Sequence, residues 1–166
     1  MVLVDTPVWS LALRRRAGDL SSPELRLTRR LQELVREGRV QLLGTTRQEV
    51  LSGIREEKQF QRIRGHLRAF QDVMLTTDDY EEAARMSKRC RRSGVASSAA
   101  DMLICAVSGR RRWQILSADG DFAHYSRVPG LRLLPLSSAI KRPSARLQLT
   151  RSLYCLQASF PKQLKM

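Results

Sequence analysis

The sequence predicts an α/β fold of three layers, with helices on both faces of a mostly parallel central sheet. Two observations carry this. Short apolar runs at residues 2–4, 40–43 and 114–117 have the length of buried strands, and longer stretches between them repeat their apolar residues at helical spacing. Strands that alternate with helices in this way form parallel sheets covered on both sides. Two of the runs also end in an aspartate, Asp5 and Asp119, at the strand ends where ligands bind in such sheets.

The elements follow in order. Residues 2–4 form the first strand. Val8, Trp9, Leu11 and Leu13 lie on a first helix, with Trp9 in the core. Leu27, Leu31, Leu34 and Val35 form the apolar stripe of a second helix that stops at Gly38. Residues 40–43 are the second strand. A helix starts at Thr46, and Phe60, Ile63, Leu67 and Phe70 continue a helical stripe beyond it. Residues 72–75 are expected as a third strand. A helix capped by Thr77 or Asp78 carries Tyr80, Ala83, Ala84, Ser87 and Cys90 on one face and ends near Gly94. Residues 99–107 are apolar nearly all round and form a buried helix capped by Ser97 or Ser98 and ended by Gly109. Residues 114–117 are a fourth strand, 119–121 a turn, and 131–136 a last short strand.

The chain has 166 residues and a net charge of +14, so it fits one compact domain with an anionic partner. Nucleic acid is the commonest such partner, and the predominance of arginine suits phosphate. Residues 1–140 read as the domain. Residues 141–166 form a basic C-terminal extension, with Lys141, Arg142, Arg146, Arg151, Lys162 and Lys165 and no acid. Cys90, Cys105 and Cys155 are odd in number and lack metal-ligand spacing, which argues against a disulfide framework or zinc site and for a reducing compartment. No apolar run reaches the roughly 20 residues of a membrane span, and no signal peptide is evident. A cytoplasmic location is expected.

Asp5, Glu49, Asp101 and Asp119 stand out, with Asp121 as a fifth acid. Each also has a structural reading. Thr46 and Glu49 are spaced as a capping box, Asp101 suits a helix N-terminus, Asp119 with Gly120 suits a turn, and Asp5 could pair with an arginine. A doubly wound sheet nevertheless brings all four to one edge. Carboxylates gathered there repel one another and stay ionised only beside a cation. Oxygen ligands without a nearby thiolate or histidine pair select Mg²⁺, with Mn²⁺ as the alternative. Such ions polarise a phosphate and activate water, the chemistry of phosphodiester hydrolysis. Asp78 and Asp79 follow a threonine pair and read as caps, and His66 and His124 as surface residues. Arg14, Arg15 and Arg16, and Arg110, Arg111 and Arg112, are the candidates for gripping a nucleic-acid backbone.

These residues also resemble a known family. The opening Val2-Leu3-Val4-Asp5-Thr6-Pro7-Val8-Trp9, the segment Thr45-Thr46-Arg47-Gln48-Glu49-Val50, the helix Ser98-Ala99-Ala100-Asp101-Met102-Leu103-Ile104 and the turn Leu116-Ser117-Ala118-Asp119-Gly120-Asp121-Phe122 are similar, in that order, to a VapC-type PIN domain, over residues 1 to about 137. The resemblance implies a PIN-like α/β/α fold and Mg²⁺- or Mn²⁺-dependent cleavage of RNA by a homodimer. It also implies a cognate antitoxin that blocks the acidic pocket. Asp5, Glu49, Asp101 and Asp119 would be the ligands, Thr6 would support the first acid by a hydrogen bond, and Asp121 would share the work of its turn. Pro7 departs from the small hydroxyl residue usual after Asp-Thr and removes a backbone donor beside the site. The rival reading is a non-catalytic basic protein that binds nucleic acid or an antitoxin, with its acids acting as caps and salt bridges.

Overall fold

In a computed structural model, which describes residues 1–125 and 131–135, a parallel sheet lies between two helical layers. Strand β1 (Val2–Val4) is followed by α1 (Thr6–Arg14), a short 3₁₀ turn (Ala17–Asp19), α2 (Ser22–Arg36) and β2 (Val40–Gln41). Then come α3 (Gly44–Ser52), α4 (Glu57–Leu67), α5 (Thr77–Arg92), α6 (Ala99–Arg111), β3 (Gln114–Leu116) and α7 (Asp121–Tyr125). The strand order is β2-β1-β3, so the first strand is central. Leu3 pairs with Gln41 on one side and Ile115 on the other, both in parallel.

Alternation along β1 divides the core. Val2 and Val4 face a cluster with Trp9, Leu31, Leu34, Val50, Ile63 and Leu67, drawn from α1 to α4. Leu3 faces the other way, onto Met86, Cys90, Ile104, Val107, Phe122 and Tyr125 from α5, α6 and α7. Trp9 is fully enclosed and meets Phe70 edge-on with ring centroids 5.0 Å apart. Cys90 and Cys105 are buried free thiols, whereas Cys155, residue 136 and the 141–166 extension lie outside the described residues.

Several expected boundaries are corrected. The strand expected at 72–75 is a single bridge from Leu42 to Asp72, because Asp72 turns to Arg47 and Met74 is 82% exposed. The last strand is likewise one bridge, between Ile115 and Leu133. Helix α3 begins at Gly44, two residues before the expected start, so Thr46 is an interior residue and not a cap. The N-cap of α5 is Thr76, whose side chain and backbone form a capping box with Asp79. Its buried face is Asp79, Ala83, Met86 and Cys90, while Tyr80 and Ala84 are exposed. Gly38 and Gly94 do end their helices, each with positive φ (64° and 70°). Gly109 does not. Helix α6 continues to Arg111, and Arg112 itself takes the left-handed conformation at φ 55°. Among the described residues no helix is long and apolar enough to cross a membrane.

Candidate active site at the strand ends

Asp5 is the first residue past the central strand. Its backbone N–H still donates to Leu116 of β3, and its carboxylate oxygen Oδ1 caps α1 through the Thr6 N–H at 2.7 Å. It is only 3% exposed. The Ser117 hydroxyl donates to Oδ2 at 2.7 Å, and the same hydroxyl oxygen accepts the Asp119 N–H at 2.9 Å. Burial pushes the Asp5 carboxyl up to about 6 against the lowering effect of Ser117 and Thr6, and the charges of Asp101 and Asp119 push it further the same way. Asp101 and Asp119 therefore lie near enough for their charges to be felt at Asp5, at one end of the sheet.

Glu49 joins them through Thr6. The Thr6 hydroxyl donates to Glu49 Oε2 at 2.5 Å, so one residue holds two acids, the first by its backbone and the second by its side chain. The expected hydrogen bond from Thr6 to Asp5 is made by the Thr6 backbone N–H, and Ser117 adds a hydroxyl to the other carboxylate oxygen. The capping-box reading of Glu49 falls with the helix start, since the glutamate lies beyond the first turn of α3. Asp101 sits in the first turn of α6, where its N–H donates to the capping hydroxyl of Ser98 at 3.0 Å. Asp119 Oδ1 accepts the Asp121 N–H at 2.9 Å, which places Asp121 on the rim at the start of α7. Tyr125, at the other end of α7, reaches Asp101, and burial followed by the charges of Asp101 and Asp121 pushes its phenol well up, keeping it protonated. Pro7 falls in the first turn of α1, where an N–H has no helical acceptor, so the helix loses nothing to it.

The donor chemistry fits a hard divalent cation. Every acid is an oxygen donor, and the like charges around buried Asp5 are relieved by positive charge. Among the described residues no three His, Cys, Asp or Glu side chains are already drawn together in an ion-holding arrangement. Asp5, Glu49 and Asp119 each engage an N–H or O–H of the chain, and Glu49 and Asp119 are exposed and able to turn.

The two arginine groups separate. A groove of about 660 Å³ is lined by Pro7 and Ala118, chain neighbours of Thr6 and Asp119, and carries Arg14 and Arg15 on its wall, but none of the four acids lines it. Arg14 also donates to the Gly53 carbonyl at the end of α3 at 2.7 Å. Arg110 and Arg111 do not reach the site. They close the far end of α6, roughly 14 Å from Asp101 at 1.5 Å per residue, where they pair with Asp78 and Asp79. Asp79 is 2% exposed, so capping explains only part of its role. His124 is exposed as expected, but His66 is half-buried, and burial and then Arg62 lower its affinity for a proton. Sequence reasoning missed Ser117 and Tyr125. The spacing Ser117-x-Asp119 was a signal for the first; nothing local marked the second.

The PIN domain family matches residues 2–128. No curated protein matches the chain. Among solved structures, the chain is similar to FitAcB from Neisseria gonorrhoeae, with a TM-score of 0.63 and 20% identity over 82% of this chain and 98% of that one. It is also similar to VapBC2 from Rickettsia felis, solved bound to a DNA fragment from their promoter, with a TM-score of 0.60 and 13% identity over 81% and 98%. These likenesses are of the fold, a parallel sheet between two helical layers, and the family match over residues 2–128 shows that the chain belongs to the PIN domain family.

Proposed function

We propose that this protein is a metal-dependent endoribonuclease, the toxin of a toxin–antitoxin pair, which hydrolyses RNA at the edge formed by Asp5, Glu49, Asp101 and Asp119. PIN domains are in general nucleases, and the two similar solved structures are toxin–antitoxin complexes. The observation that carries the reading is Asp5, buried at the end of the central strand, whose carboxyl is raised to about 6 by burial and by the charges of Asp101 and Asp119. The hydrogen bonds from Ser117 and Thr6 do not offset burial and like charge at Asp5, and such an arrangement suits a site built for a cation.

Asp5, Glu49, Asp101 and Asp119 would hold Mg²⁺, or Mn²⁺ in its place. The ion would supply charge stabilisation to the phosphate and a water of lowered pKa. Ser117 and Thr6 hold Asp5 and Glu49 in place by the bonds already described. Asp119 or Asp121, both exposed at the rim, would orient the attacking water. Arg15, on the groove wall, would hold the RNA backbone by a phosphate contact. A cognate antitoxin would cover this acidic edge, and the protein would act in the cytoplasm as a homodimer.

The test uses purified protein and structured RNAs, with Mg²⁺, with EDTA, and with Asp5→Asn. Cleavage is expected only with metal and intact Asp5. Cleavage that survives chelation and the substitution would defeat the mechanism. A basic protein that binds nucleic acid without catalysis would retain RNA and gain no thermal stability from Mn²⁺.

A further inference from the structure

Asp101 is clasped from outside the acidic edge. The Tyr125 hydroxyl lies 3.3 Å from Asp101 Oδ2 and 3.2 Å from the Ala96 carbonyl oxygen. It has one hydrogen for two acceptors, and an ionised carboxylate is the stronger of the two. The ring cannot move away. Tyr125 is 2% exposed and meets buried Phe122 edge-on at 5.4 Å between centroids. The Asp101 backbone is fixed as well, through its N–H to Ser98 Oγ. With Oδ2 engaged by the phenol, Oδ1 is the oxygen Asp101 would offer a cation.

We infer that Tyr125 is a positioning residue for the metal site, orienting the Asp101 carboxylate through its phenolic hydroxyl. This rests on the metal-dependent reading given above. Helix α7 is the physical link. Its first residue, Asp121, donates its N–H to Asp119 Oδ1, and its last, Tyr125, donates to Asp101 Oδ2. One five-residue helix thus sets two of the acids that act on Asp5. Hydrogen bonds to metal-ligating groups of this kind typically change metal affinity 10- to 100-fold when removed.

The experiment is a Mn²⁺ titration of the full-length protein by calorimetry, with thermal unfolding of the metal-free form in parallel, for wild type, Tyr125→Phe and Tyr125→Leu. Phenylalanine keeps the ring packing and removes the hydroxyl, while leucine removes both. The expected result is a weakening of Mn²⁺ binding by about tenfold or more in both variants, with a large fall in metal-free Tm only for leucine. Unchanged Mn²⁺ affinity in Tyr125→Phe would overturn the inference, as would an affinity that tracks the loss of Tm. In either case the hydroxyl serves only Ala96 and the fold. Wild-type protein that binds no Mn²⁺ would instead overturn the metal-dependent reading and this inference with it.

Discussion

The Thr6 hydroxyl donates to Glu49 Oε2 across 43 positions of the chain, and the Thr6 N–H donates to Asp5 Oδ1 in the adjacent direction. Helix α1 begins at Thr6, so its start is the joint between the central strand and the helix that carries Glu49. Thr6→Val keeps the shape of the side chain and removes only the hydroxyl. Mn²⁺ affinity and RNA cleavage should fall about tenfold, while stability changes by less than about 1 kcal/mol because the bond is exposed. Thr6→Ser should behave as wild type. Calorimetry and a cleavage assay check both.

Asp5 predicts a pH dependence of known sign. Its folded-state pKa, about 6, lies above the 3.8 of the unfolded chain, so the folded protein binds the extra proton between these values. The resulting stability is fully present below about pH 4 and is lost as pH rises through 6. With about 1.4 kcal/mol per unit, this group alone contributes a loss of about 3 kcal/mol by pH 8. Asp5→Asn removes the titration. In denaturant melts without metal the variant should be the more stable protein at pH 8, and Mn²⁺ should no longer raise its Tm.

Asp79 is a stability residue remote from the chemistry. It closes the capping box with Thr76 and takes Arg110 and Arg111 at 2.9 and 3.2 Å, and these contacts lower its pKa against the effect of burial. Asp79→Ala should cost about 2 kcal/mol, chiefly the lost cap, because the arginines paired with it are 40% and 28% exposed and keep water when the carboxylate is removed. Mn²⁺ affinity, measured below the lowered Tm, should stay at the wild-type value.

Arg15 and Arg112 test the division of the basic surface. Arg15 lines the groove that Pro7 and Ala118 border, whereas Arg112 caps α6 at the opposite end of the sheet. Arg15→Ala should lower the salt dependence of RNA binding by about one unit of log–log slope, and Arg112→Ala should leave it unchanged. Binding isotherms at several salt concentrations read this directly.

Much of this was legible in the residues themselves. Val2, Leu3 and Val4 are short, apolar and followed by an acid, and a buried strand ending at a ligand site produces that pattern. The nearly all-round apolar 99–107 run was equally direct, as its residues 102–107 form the buried middle of α6. Misreadings came where tertiary contacts override local pattern. Thr46 and Glu49 have capping-box spacing, but α3 starts at Gly44 and Thr6 takes the glutamate. Residues 72–75 have strand composition, yet Arg47 claims both the Asp72 carboxylate and the Phe70 carbonyl, leaving one bridge to the sheet. Helix α5 has two plausible apolar stripes, and the Arg110 and Arg111 pairs with Asp79 select the one that is buried. Nothing local joins Tyr125 to Asp101, because they are 24 positions apart with a strand and a turn between them.

The central position of β1 has a consequence for synthesis. Asp5 is made early, but its neighbour on the β3 side and its Ser117 partner leave the ribosome more than a hundred residues later. Contacts so distant along the chain form late and slowly. A nascent chain that has not yet extended past Asp119 therefore carries its earliest acid without the Ser117 and Asp119 that complete the acidic edge around it.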